Sequence, residues 1–196
     1  MSSIETSPLL SGSLRLREDV QLAPLKVEQA GDILRWMNGP EVYHNVGVRR
    51  EPSFEATIEW IRKSSNDESI SASAVMLGGR HVGNVVLDRI DHYLLSARLS
   101  VYIGETAERR SGVGTTAVFL KLAEGFDQLA LHKVWLVVRC GNSDAVACYA
   151  RLGFQTEGVL RDEFWHNGLR ESVYYMGLLR DEFARYRVPR GAGTTI

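Results

Sequence analysis

A glycine-containing segment, Glu108-Arg109-Arg110-Ser111-Gly112-Val113-Gly114-Thr115-Thr116-Ala117, joins the end of a predicted strand to the start of a long predicted helix. Its two glycines would let the backbone approach an anion closely. The first amides of the helix have no intrahelical partners, and the helix dipole adds partial positive charge at that end. The segment therefore predicts a cradle for a phosphate group, to which the two arginines would add full positive charges.

The same segment also satisfies the dinucleotide-binding pattern G-x-G-x-x-A over residues 112–117. That pattern requires a strand that runs directly into the first glycine and an acidic residue about 20 positions later. Here residues 105–111 intervene, and the later strand ends in Val137-Val138-Arg139. A nicotinamide oxidoreductase is therefore a disfavoured alternative, and a glycine-containing helix start without any ligand is another.

Regular elements are predicted before this segment. A first strand, Val20–Leu25, is followed by a helix over Val27–Asn38 and by a second helix that Ser53 caps and that ends at Ser64. Three antiparallel strands, with a Gly78-Gly79 turn between the first two, are predicted at Ile70–Leu77, His81–Ile90 and Leu94–Ile103.

The elements after the segment change the connections of the sheet from hairpins to helical crossovers. A helix from Gly112 to Leu129 carries a polar face, and the apolar run Val134–Val138 is typical of a strand covered on both faces. The residues of that polar face are Lys121, Glu124 and Gln128. The last elements are a helix that Asn142 or Ser143 caps and that ends at Leu152, and a hairpin of Phe154–Arg161 and Glu171–Leu178 with Asn167-Gly168 in its turn. The order predicts an α/β fold with a mixed, mostly antiparallel central sheet flanked by helices.

The composition predicts one globular domain. The chain has 196 residues, of which 44% are hydrophobic and 24% charged, enough for one core and too few for two full domains. We expect this domain over residues 13–186, a disordered segment over residues 1–12 and a loose tail over residues 187–196, because both ends are polar and contain glycine.

The charge and the cysteines restrict the partners and the compartment. A formal net charge of -1 gives no field that would recruit nucleic acid or an anionic membrane. No apolar run approaches the roughly 20 residues that span a bilayer. Cys140 and Cys148 suit a reduced protein, so we predict a cytoplasmic location. The five histidines form no metal-binding pattern, and we expect no bound metal.

Two motifs, in the expected order, resemble the GNAT superfamily of N-acetyltransferases. Its cofactor loop, R/Q-x-x-G-x-G/A, is matched by Arg109, Gly112 and Gly114. Its second motif, N-x-x-A-x-x-x-Y-x-x-x-G-F, is matched from Asn142 to Phe154. The resemblance covers residues 14–186, and the segment from Glu157 to Arg161 with the Asn167-Gly168 turn is similar to the ribosomal-protein N-terminal acetyltransferase subfamily.

The resemblance implies that acetyl-CoA lies in a V-shaped gap between two central strands. It implies hydrogen bonds from backbone groups of Tyr102, Ile103 and Gly104 to the pantetheine arm. Tyr149 would donate a proton to the departing thiolate, or else only pack in the core, and Asn142 would contact the cofactor or simply cap its helix. The pyrophosphate would be held by a loop of seven residues: Arg109, Arg110, Ser111, Gly112, Val113, Gly114 and Thr115.

The acceptor implied by the resemblance is a primary amine, namely a protein N-terminus, an amino sugar or a small metabolite. We expect four residues to line its site: Trp36, Tyr43, His44 and Trp165. A homodimer is expected by analogy with the superfamily. The main functional alternative is a catalytically silent acyl-CoA-binding sensor or interaction module of the same fold.

No carboxylate stands at a position that requires it to act as a general base. Some ribosomal-protein acetyltransferases that resemble this chain carry a catalytic glutamate at the position of Val137, and many relatives carry an acid at the position of Arg98. The remaining candidates are Glu105, Glu171 and His44, and we expect that none of them is indispensable.

Overall fold

The computed structural model describes residues 14–39, 52–166 and 168–187 of the chain. The predicted acceptor residues Tyr43 and His44 lie outside the described residues. The first half of the chain forms strand β1 (Val20–Pro24), a short 3-10 turn (Val27–Gln29), helix α1 (Ala30–Met37), helix α2 (Phe54–Ser64) and strands β2 (Ser71–Leu77), β3 (Arg80–Asp91) and β4 (Ser96–Ile103).

Local chemistry sets the boundaries of these elements. The Ser53 hydroxyl accepts a hydrogen bond from Ala56 N at 3.1 Å, which caps α2 where the sequence predicts it. Gly78 and Gly79 have φ values of 55° and 83°, which glycine adopts without strain, and they close the tight turn between β2 and β3.

The second half begins with a 3-10 turn (Thr106–Glu108) and helix α3 (Val113–Ala123), which continues as a π-helical segment (Glu124–Gln128). The remaining elements are strand β5 (Lys133–Arg139), helix α4 (Ser143–Arg151), strands β6 (Gln155–His166) and β7 (Leu169–Leu179) and helix α5 (Arg180–Arg187). Both strands of the last hairpin extend further towards the turn than the sequence pattern indicates.

The strands form one seven-stranded sheet in the order β1-β2-β3-β4-β5-β7-β6. Neighbouring strands are antiparallel except β4 and β5, which are parallel. β4 and β5 pair only from Ser96 with Lys133 to Arg98 with Trp135, and no pairing joins their later residues. The strands therefore part after Arg98, which produces the V-shaped gap and confirms the predicted fold class.

Helices cover both faces of the sheet. Helices α3, α4 and α5 share one core with the sheet, to which Val118, Leu136 and Phe183 belong. Helices α1 and α2 pack on the opposite face around a smaller core that includes Ile33 and Ile61. Each face of the gap is thus bordered by a different set of helices.

The sequence pattern was wrong about the face of α3 that carries Lys121. The Lys121 side chain is 0% exposed, and its Nζ donates to Ser71 Oγ at 2.7 Å, Ser73 Oγ at 2.9 Å and Glu124 Oε1 at 2.8 Å. Burial lowers the pKa of the Lys121 ammonium group, while the three oxygens replace the water that it has lost. The Lys121 position is polar because it bonds to β2, and not because it faces solvent.

The expectation that β5 is covered on both faces was also wrong. Val134, Leu136 and Val138 are buried towards α3, whereas Val137, on the opposite face, is 40% exposed. On that face Trp135 stacks on Tyr175 with ring centres 5.0 Å apart. An uninterrupted run of apolar residues therefore forms a strand with one face buried and the other partly exposed.

No helix in the described part of the chain is both long and apolar enough to cross a membrane. The described cysteines, Cys140 and Cys148, are both free thiols. The cytoplasmic location stays a prediction.

Candidate active site

The edge of β4 that borders the gap has backbone groups without strand partners. Gly104 N donates to Val82 O of β3 at 2.9 Å, and Leu95 O accepts from Lys133 N of β5 at 3.1 Å. Because successive residues of a strand direct their backbone groups to opposite edges, Val101 and Ile103 face the gap. Of the three residues predicted to bind the pantetheine arm, Ile103 faces the gap, while Tyr102 and Gly104 direct their backbone groups towards β3.

The predicted phosphate cradle is a tight loop at the start of α3. Gly112 is the N-cap residue with a φ of 88°, and no side chain caps the helix. Gly112 O already accepts the first helical bond, from Thr116 N at 3.0 Å. The amides of Val113, Gly114 and Thr115 thus lie at an uncapped helix N-terminus, where backbone N–H groups and the helix dipole favour an anion.

Side chains fix this loop to the end of β4 and leave one arginine exposed. Arg109 Nε donates to Ile103 O at 3.0 Å, and burial lowers the pKa of the Arg109 guanidinium. Ser111 Oγ donates to Glu108 O at 2.6 Å. The Arg110 side chain is 84% exposed and pairs with Asp144 at 2.7 Å. Arg109 therefore holds the loop in place, and Arg110 is the more accessible of the two cations.

Helix α4 brings the second motif beside the start of α3. Thr115 Oγ1, in the first turn of α3, lies 3.2 Å from Cys148 Sγ of α4. Asn142 caps α4, since its Oδ1 accepts from Ala145 N at 3.3 Å. This contact is the one that the capping interpretation of Asn142 predicts, and a contact with the cofactor stays a prediction.

Tyr149 follows Cys148 on α4 and packs edge-on against Phe154, with ring centres 5.7 Å apart. Burial raises the pKa of the Tyr149 hydroxyl well above its ordinary value. The hydroxyl is thus protonated at neutral pH and can donate a hydrogen bond or a proton.

Helix α1 packs against the end of β4, on the face of the sheet opposite α3 and α4. Trp36 is 3% exposed, and a Cβ atom at Gly104 would overlap its indole ring. Trp36 Nε1 donates to Glu105 Oε1 at 3.1 Å, and the ring of His81 lies 4.7 Å from that of Trp36. The predicted acceptor residue Trp36 is therefore seated directly on the cofactor strand.

The carboxylates proposed as bases already have partners. Glu105 accepts a hydrogen bond from Arg35 at 2.6 Å, which lowers the pKa of its carboxyl group, and Arg80 lies 3.9 Å away. Glu171 accepts from Gly141 N at 2.7 Å and from Arg139 Nη1 at 3.1 Å. Each carboxylate is thus occupied in holding the structure.

Trp165, the other described acceptor candidate, is 65% exposed on β6. β6 is an edge strand, and β7 separates it from β5 and the gap. The structure therefore brings Trp36 to the cofactor strand and leaves Trp165 on the outer part of the sheet. No group of side chains that could hold a metal ion occurs among the described residues.

A polar network behind Trp36 was missed by sequence analysis. His81 Nδ1 lies 3.2 Å from Asp32 Oδ2, and His81 Nε2 lies 3.0 Å from Asn84 Oδ1. Asn84 Nδ2 donates to the Tyr102 hydroxyl at 2.5 Å. The available signal was His81 and Asn84 within the otherwise apolar run of β3, where buried polar residues require partners.

Comparison with known proteins supports the same chemistry. The acetyltransferase (GNAT) domain family matches residues 19–155. A spermidine N(1)-acetyltransferase of Escherichia coli (strain K12) is 30% identical over 177 residues, which cover 87% of this chain and 91% of that protein. A candidate ribosomal N-acetyltransferase of Bacillus subtilis (strain 168) is 25% identical over 170 residues, which cover 87% of this chain and 90% of that protein.

A solved structure has the same architecture. The spermidine N-acetyltransferase of Vibrio cholerae, crystallised in complex with CoA and spermine, aligns with a TM-score of 0.81 and 25% sequence identity. The alignment covers 86% of this chain and 99% of the crystallised chain.

The split sheet and the anion cradle beside it define an acyltransferase that uses a CoA thioester. The chain belongs to the GNAT acetyltransferase superfamily. It is an acetyl-CoA-dependent N-acyltransferase, as the sequence predicted. The comparisons do not single out the ribosomal-protein N-terminal subfamily, because the spermidine acetyltransferase is the more similar of the two curated relatives described.

Proposed function

We propose that this enzyme acetylates a primary amine of a small aliphatic polyamine by direct attack on acetyl-CoA. The observation that carries the proposal is the gap between β4 and β5, with the uncapped start of α3 beside it and Trp36 seated at the end of β4. The choice of acceptor class is supported by the relatives, since two of those described are named as spermidine acetyltransferases.

Acetyl-CoA supplies an activated thioester, and the cofactor side of the gap fits its polar parts. The backbone N–H of Ile103 and the carbonyl of Val101 would bond the pantetheine amides as an added strand does. The Ile103 carbonyl already accepts from Arg109. The uncapped N-terminus of α3 and the exposed Arg110 would bind the pyrophosphate, and Asn142 and Tyr149 would border the thioester.

The proposed reaction requires a proton to leave the amine and a proton to reach the departing thiolate. An amine of pKa near 10 is mostly protonated at neutral pH, so a proton must leave before the nitrogen attacks. Glu105 and Glu171 each accept a hydrogen bond from an arginine. We therefore propose that water takes this proton, or that the amine binds in its neutral form. The Val101 N–H would stabilise the oxyanion, and water would take the proton that the attacking nitrogen loses. As the C–S bond breaks, Tyr149 would protonate the departing thiolate and then regain a proton from water.

An acetylation screen with mass detection tests the acceptor class. Spermidine, spermine, an amino sugar nucleotide and peptides with free N-termini are incubated with acetyl-CoA and the enzyme, with Tyr149→Phe as the matched control. We expect the polyamines to gain one acetyl group at the highest rate, and the control to be slower. Acetylation of the amino sugar alone would overturn the acceptor class, and transfer to no amine would favour a silent acyl-CoA-binding module.

The organisation of the chain is part of the same proposal. We infer one catalytic domain over residues 13–186, working in the cytoplasm as a homodimer. Sedimentation equilibrium measures the mass of the assembly directly, and a monomer mass at working concentrations would contradict the dimer.

A further inference from the structure

Glu105 attaches two consecutive residues of α1 to the end of the cofactor strand. Its Oε1 accepts one hydrogen bond from Arg35 Nη2 at 2.6 Å and another from Trp36 Nε1 at 3.1 Å. The Arg35 guanidinium also lies 5.4 Å from the centre of the Trp36 ring. The three side chains therefore form a closed triangle around one carboxylate oxygen.

The Trp36 ring has little freedom to move within this triangle. It lies against Gly104, where a side chain would overlap it, and against the ring of His81. His81 is itself held on one side by Asp32 and on the other by Asn84, which is fully buried. A buried network whose members all have partners specifies one arrangement of its side chains.

The position of this triangle connects the two substrates. Ile103 faces the gap, and Gly104 and Glu105 are the next two residues of the chain. Trp36 belongs to α1, on the face of the sheet opposite α3 and α4, which bear the cofactor loop and Tyr149. In the proposed function β4 binds acetyl-CoA and Trp36 borders the acceptor, so a shift of Trp36 would move one substrate relative to the other.

We propose that Glu105 is a positioning residue, which fixes the Trp36 indole on Gly104 so that the acceptor amine meets the thioester at a set distance. The inference rests on the proposed amine transfer. It assigns the Glu105 charge to holding Arg35 and Trp36 instead of to removing a proton. A negative charge suits this task because a hydrogen bond to a charged acceptor is shorter and stronger than a neutral one.

Kinetics separates positioning from proton removal. We expect Glu105→Ala to lower acceptor kcat/KM roughly ten- to a hundredfold, the size expected for a hydrogen bond to a charged group. The loss should fall mainly on the acceptor KM, with the acetyl-CoA Kd and the pH profile unchanged. Glu105→Gln should recover part of the activity, since its amide oxygen can still accept from Trp36 Nε1.

A double-mutant cycle tests whether Glu105 acts through Trp36. Trp36→Phe keeps an aromatic ring and removes the indole N–H. Adding Trp36→Phe to Glu105→Ala should cost little more, because the first change has already removed their shared hydrogen bond. Glu157→Gln is the matched control, since it removes an ion pair of 2.7 Å, with Lys133, that joins β6 to β5.

A spectroscopic measurement on the complete chain needs no substrate. In the ¹⁵N-labelled protein, the Trp36 indole N–H signal is the one that disappears in Trp36→Phe. Glu105→Ala should shift this signal strongly, Glu105→Gln should shift it less, and Glu157→Gln should leave it in place. Because this readout does not depend on turnover, a wild-type protein without transferase activity would refute the proposed function and still leave the position of the indole measurable.

Two results would overturn the inference. A Glu105→Gln variant slowed a thousandfold in kcat, with a rate that no longer follows the wild-type pH profile, would make Glu105 the general base. Unchanged acceptor kinetics and an unmoved indole signal in Glu105→Ala would show that Glu105 does not position Trp36. If Glu105→Ala does not fold, Glu105→Gln and Trp36→Phe still carry the test.

Discussion

The cofactor side and the acceptor side of the proposed site use different parts of the chain. The cofactor side consists mainly of backbone, namely the unpaired edge of β4 at Val101 and Ile103 and the uncapped start of α3 at Gly112. The acceptor side consists of side chains, in which Trp36, Glu105 and Arg35 hold one another. One side recognises a group through amides that every residue has, and the other through particular residues.

This difference has consequences for substitution. A backbone site tolerates most side-chain changes and fails where glycine is required, as at Gly112 with its φ of 88°. A side-chain network is weakened when one of its members is removed, because a buried polar group such as the Trp36 indole N–H then loses its partner. Substitutions on the two sides should therefore separate cofactor binding from acceptor kinetics.

The largest effect is expected at Gly112. Gly112→Asp places a negative charge at the cradle, so it should abolish the rise in melting temperature that acetyl-CoA or CoA gives the wild type by binding the native state. The matched control is Gly112→Asn, since asparagine tolerates positive φ and carries no charge. A Cβ atom there meets nothing closer than Arg17 Cδ at 3.8 Å, so there is room for the side chain.

Thermal shift assays of the two Gly112 variants distinguish charge from strain. Both should be less stable than the wild type without ligand. Only the aspartate should lose the response to CoA. An equal response to CoA in the two variants would show that the pyrophosphate does not bind at the start of α3.

The next largest effect is expected at Tyr149, on the chemical step. Tyr149→Phe should lower kcat roughly 10²- to 10⁴-fold while acetyl-CoA binding persists, as for loss of a general acid. Because burial raises the pKa of the Tyr149 hydroxyl, wild-type kcat should show no downturn from its ionisation up to about pH 10, the ordinary tyrosine value. Stopped-flow rates between pH 6 and pH 10 measure this, with Tyr174→Phe as a control on β7.

Features that depend on neighbouring residues could be predicted from the sequence, whereas contacts between distant residues could not. The cradle from Arg109 to Thr115, the cap at Asn142 and the placement of Tyr149 on α4 came from local motifs, because caps and helix starts depend on neighbouring residues. The bond between Trp36 and Glu105 joins residues 69 positions apart, so no local pattern indicates it.

The burial of individual side chains was predicted least well, because it also depends on residues that are distant in the sequence. Lys121 appeared to belong to a polar helix face, and its contacts with Ser71 and Ser73 lie 50 and 48 positions away. Val137 lies in a continuous apolar run, and it is 40% exposed because its side chain points to the face of β5 opposite the core that α3 covers. Only the folded sheet and its helices determine which side chains are covered.

A smaller effect is expected at Gly104, where the two sides meet. Gly104→Ala adds a Cβ atom that would overlap the Trp36 indole. It should raise the acceptor KM about tenfold, by displacing the ring from the end of β4, while most of the acetyl-CoA affinity remains, since Gly104 N already binds Val82 O. Parallel measurements of acceptor KM and acetyl-CoA Kd check this, and an equal loss in both would mean that the strand itself has moved.

The smallest effect is expected at Glu171, the remaining described candidate for a base. Glu171→Gln keeps an oxygen that can accept from Gly141 N and loses only the charge opposite Arg139. The turn that leads to Asn142 should therefore hold, and kcat should fall less than roughly tenfold, below the range of a dedicated base. The rate should still rise with pH as the free amine does. A thousandfold loss of kcat with folding and acetyl-CoA binding intact would instead show that Glu171 leaves Arg139 to accept the proton of the amine.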